Sequence, residues 1–292
     1  MKKLLMIIVA VAFCALNGTD AVAEDGADNV IKEYELSGFD GIKAGSNFEI
    51  EMAGSDHYSI VIEFPDELGE YLDVDVSNGD LILDMNFKAL PKTIARRFEN
   101  RDWRIKVNVN CPSVKRIRLY GAATLTMTER FNVSSVDIRT SGAASLDMAL
   151  LEGNGKGDLS LEASGASHVE LDLEGSFTSS DISCSGASNV YISGGNIEKC
   201  YVDNSGASDV DMESVGFSDL NLVLTAASQL YVSGTADLID VDVRAASVCR
   251  ASSLLAKRAN VKASGASRVT VNAESLDHAD ISRASSFRNS RR

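Results

Sequence analysis

The chain has 292 residues, a formal net charge of −14 and an aromatic content of only 6%. Nucleic acid is excluded as an expected partner, because phosphate binding needs clustered Lys and Arg, and here 42 acidic residues outnumber 28 basic ones. With 22 glycines and 3 prolines, the composition favours short strands and tight turns over long helices.

The N-terminus has the form of a secretory signal peptide, residues 1–23. Two lysines precede an apolar run over residues 4–16, and Ala21-Val22-Ala23 is a small-residue cleavage site. We expect cleavage after Ala23 and export to the periplasm, the outer-membrane surface or the extracellular space. A lipoprotein anchored through Cys14 is the less favoured alternative, because bulky Phe13 stands where a small residue is needed. No later apolar stretch is long enough to span a bilayer.

Residues 24–112 are predicted to form a β-rich N-terminal part, in which Ser77-Asn78-Gly79-Asp80 is a tight-turn signal between two strands. A basic insertion interrupts this part at residues 86–106 and carries a short predicted helix. Arg96 and Arg97 in this helix are candidate ligand-binding residues for an anionic glycan, a lipid headgroup or the protein's own acidic surface. A solvated loop lying over the rest of the fold is the alternative interpretation.

A Ser-Gly-Ala-Ser tetrapeptide, or a degenerate copy of it, recurs over residues 113–292. The steps between the fourth positions of successive copies are 21, 23, 21, 20, 20, 19, 20 and 18 residues. So steady a period indicates a stacked repeat architecture. The fourth positions are Ala123, Ala144, Ser167, Ser188, Ser208, Ser228, Ser247, Ser267 and Ser285.

Apolar residues recur at even offsets from each fourth position, which is the period of a strand with one buried face. Two residues after it, for example, stand Val169, Val190 and Leu230. Each period therefore contains one strand before the tetrapeptide and one after it. The sequence predicts an all-β fold, a parallel β-helix or solenoid of about nine rungs of 18–23 residues. Right-handedness is the default for parallel crossovers.

The four cysteines that follow the signal segment fall in different apolar columns of this register. Even cysteine counts in exported proteins permit disulfides. Because these side chains are not vertical neighbours, we instead expect small buried hydrophobes with free thiols. They are Cys111, Cys184, Cys200 and Cys249.

Outward positions of the predicted coil provide the second group of candidate ligand-binding residues. Tyr191 and Tyr231 share one outward column, two rungs apart, with Asp211 between them and Asp209 beside it. Exposed aromatic rings beside carboxylates can stack on sugar rings. Glycan-cleaving enzymes also use a pair of acidic side chains. A carbohydrate-active hydrolase or lyase is therefore the alternative. The three histidines are far apart in sequence, and we expect no metal site and no catalytic residues.

Several stretches resemble a known family. Phe39 to Ile50, the turn and strand Asn78 to Leu83, and Pro112-Ser113-Val114 are similar to the head GIN domain of putative auto-transporter adhesins, and the serine-glycine repeats resemble that family's usual continuation. The resemblance covers roughly residues 30–285 and departs from the eponymous tripeptide at Gly45-Ser46-Asn47, which has Ser in the middle. It implies an exported β-helical protein of Bacteroidetes-like bacteria without established catalytic residues.

Together these observations predict a non-enzymatic, exported adhesin-like or cell-envelope scaffold protein. Its solenoid is expected to present an extended surface to a ligand such as polysaccharide, with a glycan or a cell-surface or matrix protein as partner. No cofactor is expected, and a homo-oligomer is compatible with the sequence.

Overall fold

The computed structural model describes residues 29–98 and 103–291, and these residues form an all-β structure. The signal segment with Cys14 and the cleavage site after Ala23 lies outside the described residues. One short 3-10 helix, Asp66–Tyr71, and one α-helix, α1 (Lys92–Phe98), interrupt the strands. The strands are β1 (Asn29–Tyr34), β2 (Gly41–Ala44), β3 (Phe48–Gly54), β4 (Ser59–Pro65), β5 (Leu72–Ser77), β6 (Asp80–Met85), β7 (Ile105–Cys111), β8 (Arg116–Leu119), β9 (Thr124–Met127), β10 (Phe131–Asn132), β11 (Val136–Thr140), β12 (Ser145–Ala163), β13 (His168–Cys184), β14 (Asn189–Asn204), β15 (Asp209–Leu224), β16 (Gln229–Val243), β17 (Val248–Ala263), β18 (Arg268–Ile281) and β19 (Ser286–Asn289).

Successive coils stack in parallel and in register, so the predicted solenoid of about nine turns is confirmed. Val169 pairs with Leu146 on one side and with Val190 on the other, as the column analysis predicts. We call the strands that follow a Ser-Gly-Ala-Ser corner the exit strands: β3, β9, the first halves of β12 to β18, and β19. We call the strands that lead into the corner the entry strands: β2, β8, β11 and the second halves of β12 to β18.

The apolar columns line the interior of the coil. Leu146, Val169, Val190 and Leu230 are each no more than 1% exposed. A single coil could not bury these side chains, but its two neighbours, about 4.8 Å away on either side, cover them. Each buried Val, Leu or Ile contributes about 1.5–3 kcal/mol relative to exposure, and this repeated burial stabilises the stack.

The corner motif is structural. Gly165 and Gly186 have a φ of +75°, in the left-handed region, and their carbonyls accept hydrogen bonds from the corner of the next coil. The fourth-position serines from Ser167 to Ser267 point inward and are at most 2% exposed. Their hydroxyls bond to backbone in several coils: Ser188 Oγ donates to Ser185 O at 3.0 Å, and Ser228 Oγ donates to Thr225 O at 2.9 Å.

The tripeptide Gly45-Ser46-Asn47 is itself the first corner of the stack. Ser46 has a φ of +57°, and its carbonyl accepts a hydrogen bond from Ala122 N at 2.9 Å, as the corner glycines do in later coils. Gly45 is required here because a Cβ would lie 2.1 Å from the ring of Tyr120. Strands β2 and β3 are therefore the entry and exit strands of the first coil, paired in parallel with β8 and β9.

The two ends of the solenoid differ. At the N-terminal end, β7, β4 and β1 extend the exit sheet, and the hairpin β5–β6 extends the entry sheet. At the C-terminal end, β19 pairs with residues 268–271 of β18, and within the described residues no strand pairs with the outer edge of residues 273–281. The N-terminal end is thus the more completely capped one.

The predicted burial of the cysteines is confirmed. In the structure all four described cysteines are free thiols that lie inside the coil. Burial raises the pKa of Cys111 to about 11 and that of Cys184, Cys200 and Cys249 to about 12. These thiols are therefore protonated at neutral pH and unreactive in the folded protein.

Candidate functional site

The structure brings four of the six candidate residues together on the outward side of the exit strands. Tyr191 pairs in register with Asp211, and Asp211 pairs with Tyr231. Asp209 stands two residues before Asp211 on the same outward side. With strands about 4.8 Å apart, the two tyrosines are separated by about 10 Å along the column. We call this outward surface of the exit strands the exit face.

A carboxylate that sequence reasoning overlooked completes this group. Tyr191 Oη donates a hydrogen bond of 3.0 Å to Glu213 Oε2, on the next strand. This bond is the main cause of a raised pKa for Tyr191. Glu213 lies two residues after Asp211, again on the outward side, so the alternation of the strand contained the signal.

The Asp211 carboxylate on this face is incompletely hydrogen-bonded. Its Oδ1 is buried and has no hydrogen-bond partner within the described residues. Burial, and next the negative charge of Glu213, raise the pKa of the Asp211 carboxyl. Leaving this acceptor without a donor costs free energy in the folded chain.

The basic insertion lies elsewhere. Helix α1 belongs to the N-terminal part of the structure, where Arg97 forms an ion pair with Glu67 of the 3-10 helix. On the same helix Ile94 packs against the core and Arg96 is exposed. The structure does not place Arg96 and Arg97 with the tyrosines, which lie on β14 and β16, so the candidates form two separate surfaces.

Two shallow polar grooves run along a third region, the glycine-containing turns between exit and entry strands. One, of about 280 Å³, is lined in part by Ser176, Asn196 and Glu198. The other, of about 420 Å³, lies beside Gly153 and Glu174. Neither groove includes Tyr191, Asp209, Asp211 or Tyr231. Among residues 29–98 and 103–291, no cluster of three or more His, Cys, Asp or Glu side chains is arranged to hold a metal ion.

The fold and the exit face define a class, that of β-solenoid proteins with a polar sheet surface along one side of the coil. The family model described as "Putative auto-transporter adhesin, head GIN domain" matches residues 38–216 and 180–291. The chain therefore belongs to this head GIN domain family. Within the described part of the chain, no helix combines the length and hydropathy that a membrane crossing requires.

Solved structures share the fold at low sequence identity. A protein of Parabacteroides distasonis ATCC 8503, described as a putative lipid binding protein, has a TM-score of 0.64 and 14% identity, covering 90% of this chain and 96% of its own. A putative adhesin of Parabacteroides merdae ATCC 43184 has a TM-score of 0.56 and 15% identity, covering 89% of this chain and 95% of its own. Another putative adhesin of P. distasonis has a TM-score of 0.54 and 12% identity, covering 90% and 97%. A search of curated proteins found no match.

Proposed function

We propose that this protein is an exported, non-enzymatic adhesin-like module of the cell envelope whose exit face binds polysaccharide. The observation that carries the proposal is the column in which Tyr191 and Tyr231 flank Asp211. Aromatic rings stack on the apolar faces of sugars, and carboxylates accept hydrogen bonds from their hydroxyls. A face of stacked strands presents aromatic rings and carboxylates at regular intervals. This spacing is suited to a polysaccharide with repeating sugar units.

Membership of the adhesin family supports the binding role, and the expected signal segment supports export. The two grooves described above lie away from the tyrosine column, whereas glycan-cleaving sites hold the sugar in a concave, partly water-excluded site, which favours a non-enzymatic role for this column. Asp209 and Asp211 are then contact residues and not an acid–base pair.

A glycan array with the purified chain tests the proposal. Replacing Tyr191 and Tyr231 together by Ala should weaken binding at least about tenfold, since each aromatic contact contributes about 1 kcal/mol. Tyr201→Ala is the matched control, because Tyr201 is 41% exposed but lies on an entry strand. Binding that survives the double substitution contradicts the proposed site. Turnover of a bound glycan that is lost in Asp211→Ala contradicts the non-enzymatic role.

The basic insertion supplies a second proposed contact, with anionic groups at the envelope. Phe87 is 52% exposed next to Lys88, and both precede α1 with Arg96 and Arg97. A basic surface with an exposed aromatic ring is suited to an anionic lipid surface. Co-sedimentation with vesicles containing phosphatidylglycerol should fall on charge reversal of Arg96 and Arg97 to Glu. Arg96→Glu alone, which breaks no ion pair within the described residues, should lower co-sedimentation without lowering the melting temperature. Equal sedimentation of variant and parent would contradict this contact.

A further inference from the structure

The exit face has opposite charge in its two halves. From β12 to β19 its central column is continuous through eight stacked strands, each residue in register with the next, and Thr126 of β9 and Glu51 of β3 extend the column toward the N-terminal end. The first half is acidic and the second half is basic, and residues 248–252, 268–272 and 286–290 of the last three coils contain no carboxylate. In order, the column reads Asp147, Glu170, Tyr191, Asp211, Tyr231, Arg250, Thr270 and Arg288.

This order makes the face complementary to itself. A two-fold axis that lies in the face and runs along the strand direction, between β15 and β16, reverses the order of the coils but keeps the columns aligned. Asp147 of one copy then faces Arg288 of the other, and Tyr191 faces Arg250. At the axis, Asp211 faces Tyr231. In the neighbouring column, Arg268 faces His168, and Glu170 lies diagonally, two residues further along the same strand.

We infer that the exit face binds a second copy of this chain in an antiparallel, face-to-face arrangement. From β12 to β19, every charged position of the central column then meets an opposite charge, an aromatic ring or a hydroxyl. Tyr191 and Arg250 have the pairing of a cation–π contact. At the axis, the Tyr231 hydroxyl of each copy faces the Asp211 carboxylate of the other, which is a hydrogen-bond acceptor.

The unused charges of the single chain point to the same occupant. Within the described residues, Asp147, Glu170, Arg268 and Arg288 take part in no ion pair. Some arginines elsewhere on the surface are paired inside the chain, as Arg118 is with Asp137 at 2.6 Å. Unpaired charges that are segregated along one face favour a partner whose basic and acidic halves lie in the reverse order. A second copy turned end for end has that order.

The size of the contact predicts a weak, reversible dimer. Eight strands spaced by about 4.8 Å extend over about 34 Å, and five to six residues of exit strand over about 17 Å, so the pair would bury roughly 1,100 Å² in total. Such an area is at the lower end of specific interfaces. Its charged character makes association dependent on ionic strength.

This inference rests on the proposed function in one respect, since it assigns a second partner to the same face. Polysaccharide and a second copy would compete for Tyr191 and Tyr231, so a bound glycan would shift the equilibrium toward monomers. The protein could then contact either a glycan or an identical molecule through one surface. Failure of one binding leaves the other measurable, because dimerisation is read from mass and glycan binding from the array.

Sedimentation velocity of the purified chain over a range of protein and salt concentrations is the first test. We expect a concentration-dependent dimer that weakens as salt increases. Arg288→Asp places two carboxylates opposite each other at both ends of the contact and should raise the dissociation constant about tenfold or more. Combining it with Asp147→Arg restores opposite charges at the same positions, and the dimer should return.

Lys199→Asp is the matched control, because it makes the same change in net charge on an exposed residue outside the exit face. It should leave the dissociation constant within about twofold of the parent's. A monomer at all concentrations overturns the inference. So does a dimer that Arg288→Asp weakens but Asp147→Arg does not rescue.

Discussion

A single backbone position in each coil determines whether the stack can close. At Gly186 the φ is +75°, and an added Cβ would lie 2.6 Å from the carbonyl oxygen of Gly165 in the preceding coil. Two coils nevertheless have alanine here, Ala226 and Ala245, with φ values of +65° and +58°. The corner therefore demands the left-handed conformation in all of these coils, while the space for a Cβ differs from coil to coil.

Gly186→Ala is accordingly expected to lower the free energy of unfolding by about 2 kcal/mol or more. The left-handed conformation costs an L-residue about 1–2 kcal/mol, and the contact with the neighbouring backbone adds to this cost. Urea unfolding followed by circular dichroism measures the change. Ala226→Gly is the control, expected to be neutral or stabilising by up to about 1 kcal/mol. An equal loss of stability in both variants would contradict this account of the corner.

At the scale of elements, the sequence predicts the strands of the repeating part, and the strands, tight turn and short helix of the N-terminal part, but not that β2 and β3 form the first coil of the stack. Strict alternation of apolar and polar residues is enough to place Leu146, Val169 and Val190 in one buried column. The repeat pattern does not predict the first corner, because strands β4 to β7 separate it from the second corner and Ser46 stands where later corners have glycine. The tyrosine column follows from the register, whereas the contact of Glu213 with Tyr191 depends on side-chain conformation, which a sequence pattern does not specify.

Arg116 joins the N-terminal hairpin to the coil. Its guanidinium contacts Asp80 Oδ1 at 2.9 Å, Asp40 Oδ1 at 2.7 Å and the carbonyl of Gly79 at 3.1 Å. We predict that Arg116→Ala lowers the free energy of unfolding by about 1–2 kcal/mol, a value reduced from that of fully buried charged hydrogen bonds because the side chain is partly exposed. Arg139 is the control, because it forms only two long ion pairs, at 3.6 Å to Asp137 and to Glu162. Arg139→Ala should change the free energy of unfolding by less than about 0.5 kcal/mol.

The pH dependence of the folding stability is a second test of the contact between Arg116 and Asp40. A hydrogen bond from Lys115 and the charge of Arg116 hold the pKa of Asp40 below its usual value of 3.8. A carboxyl group whose pKa is lower in the folded state stabilises the fold at pH values above its unfolded-state pKa. This stabilisation is lost as the pH falls through the folded-state pKa. The parent should therefore lose more stability than Arg116→Ala on acidification below about pH 4. Parallel acid profiles would show that Arg116 does not act through this carboxylate.

For the whole molecule, a stack of coils is stabilised by its neighbours, so a coil covered on one side only should open most easily. The inner coil that contains β15 has a full strand on both sides. In β18 the interior column reaches the open end: Leu276 is 39% exposed, and residues 274–280 are all exposed. The N-terminal end is closed by five additional strands, so opening is expected to begin at the C-terminal end.

Hydrogen exchange followed by mass spectrometry should therefore show a gradient along the solenoid axis. Amides of residues 273–281 should exchange at least about a hundredfold faster than those of Asp209–Leu224, because an edge strand opens without disrupting a second interface. Strands β2 and β3, which are covered by β6 and β7, should exchange slowly despite belonging to the first coil. Exchange at the exit face should slow further at high protein concentration if the dimer forms, whereas residues 273–281 lie on the entry side and should be unchanged. Uniform protection from β2 to β18 would mean that the solenoid unfolds as one cooperative unit and that its open end has no separate stability.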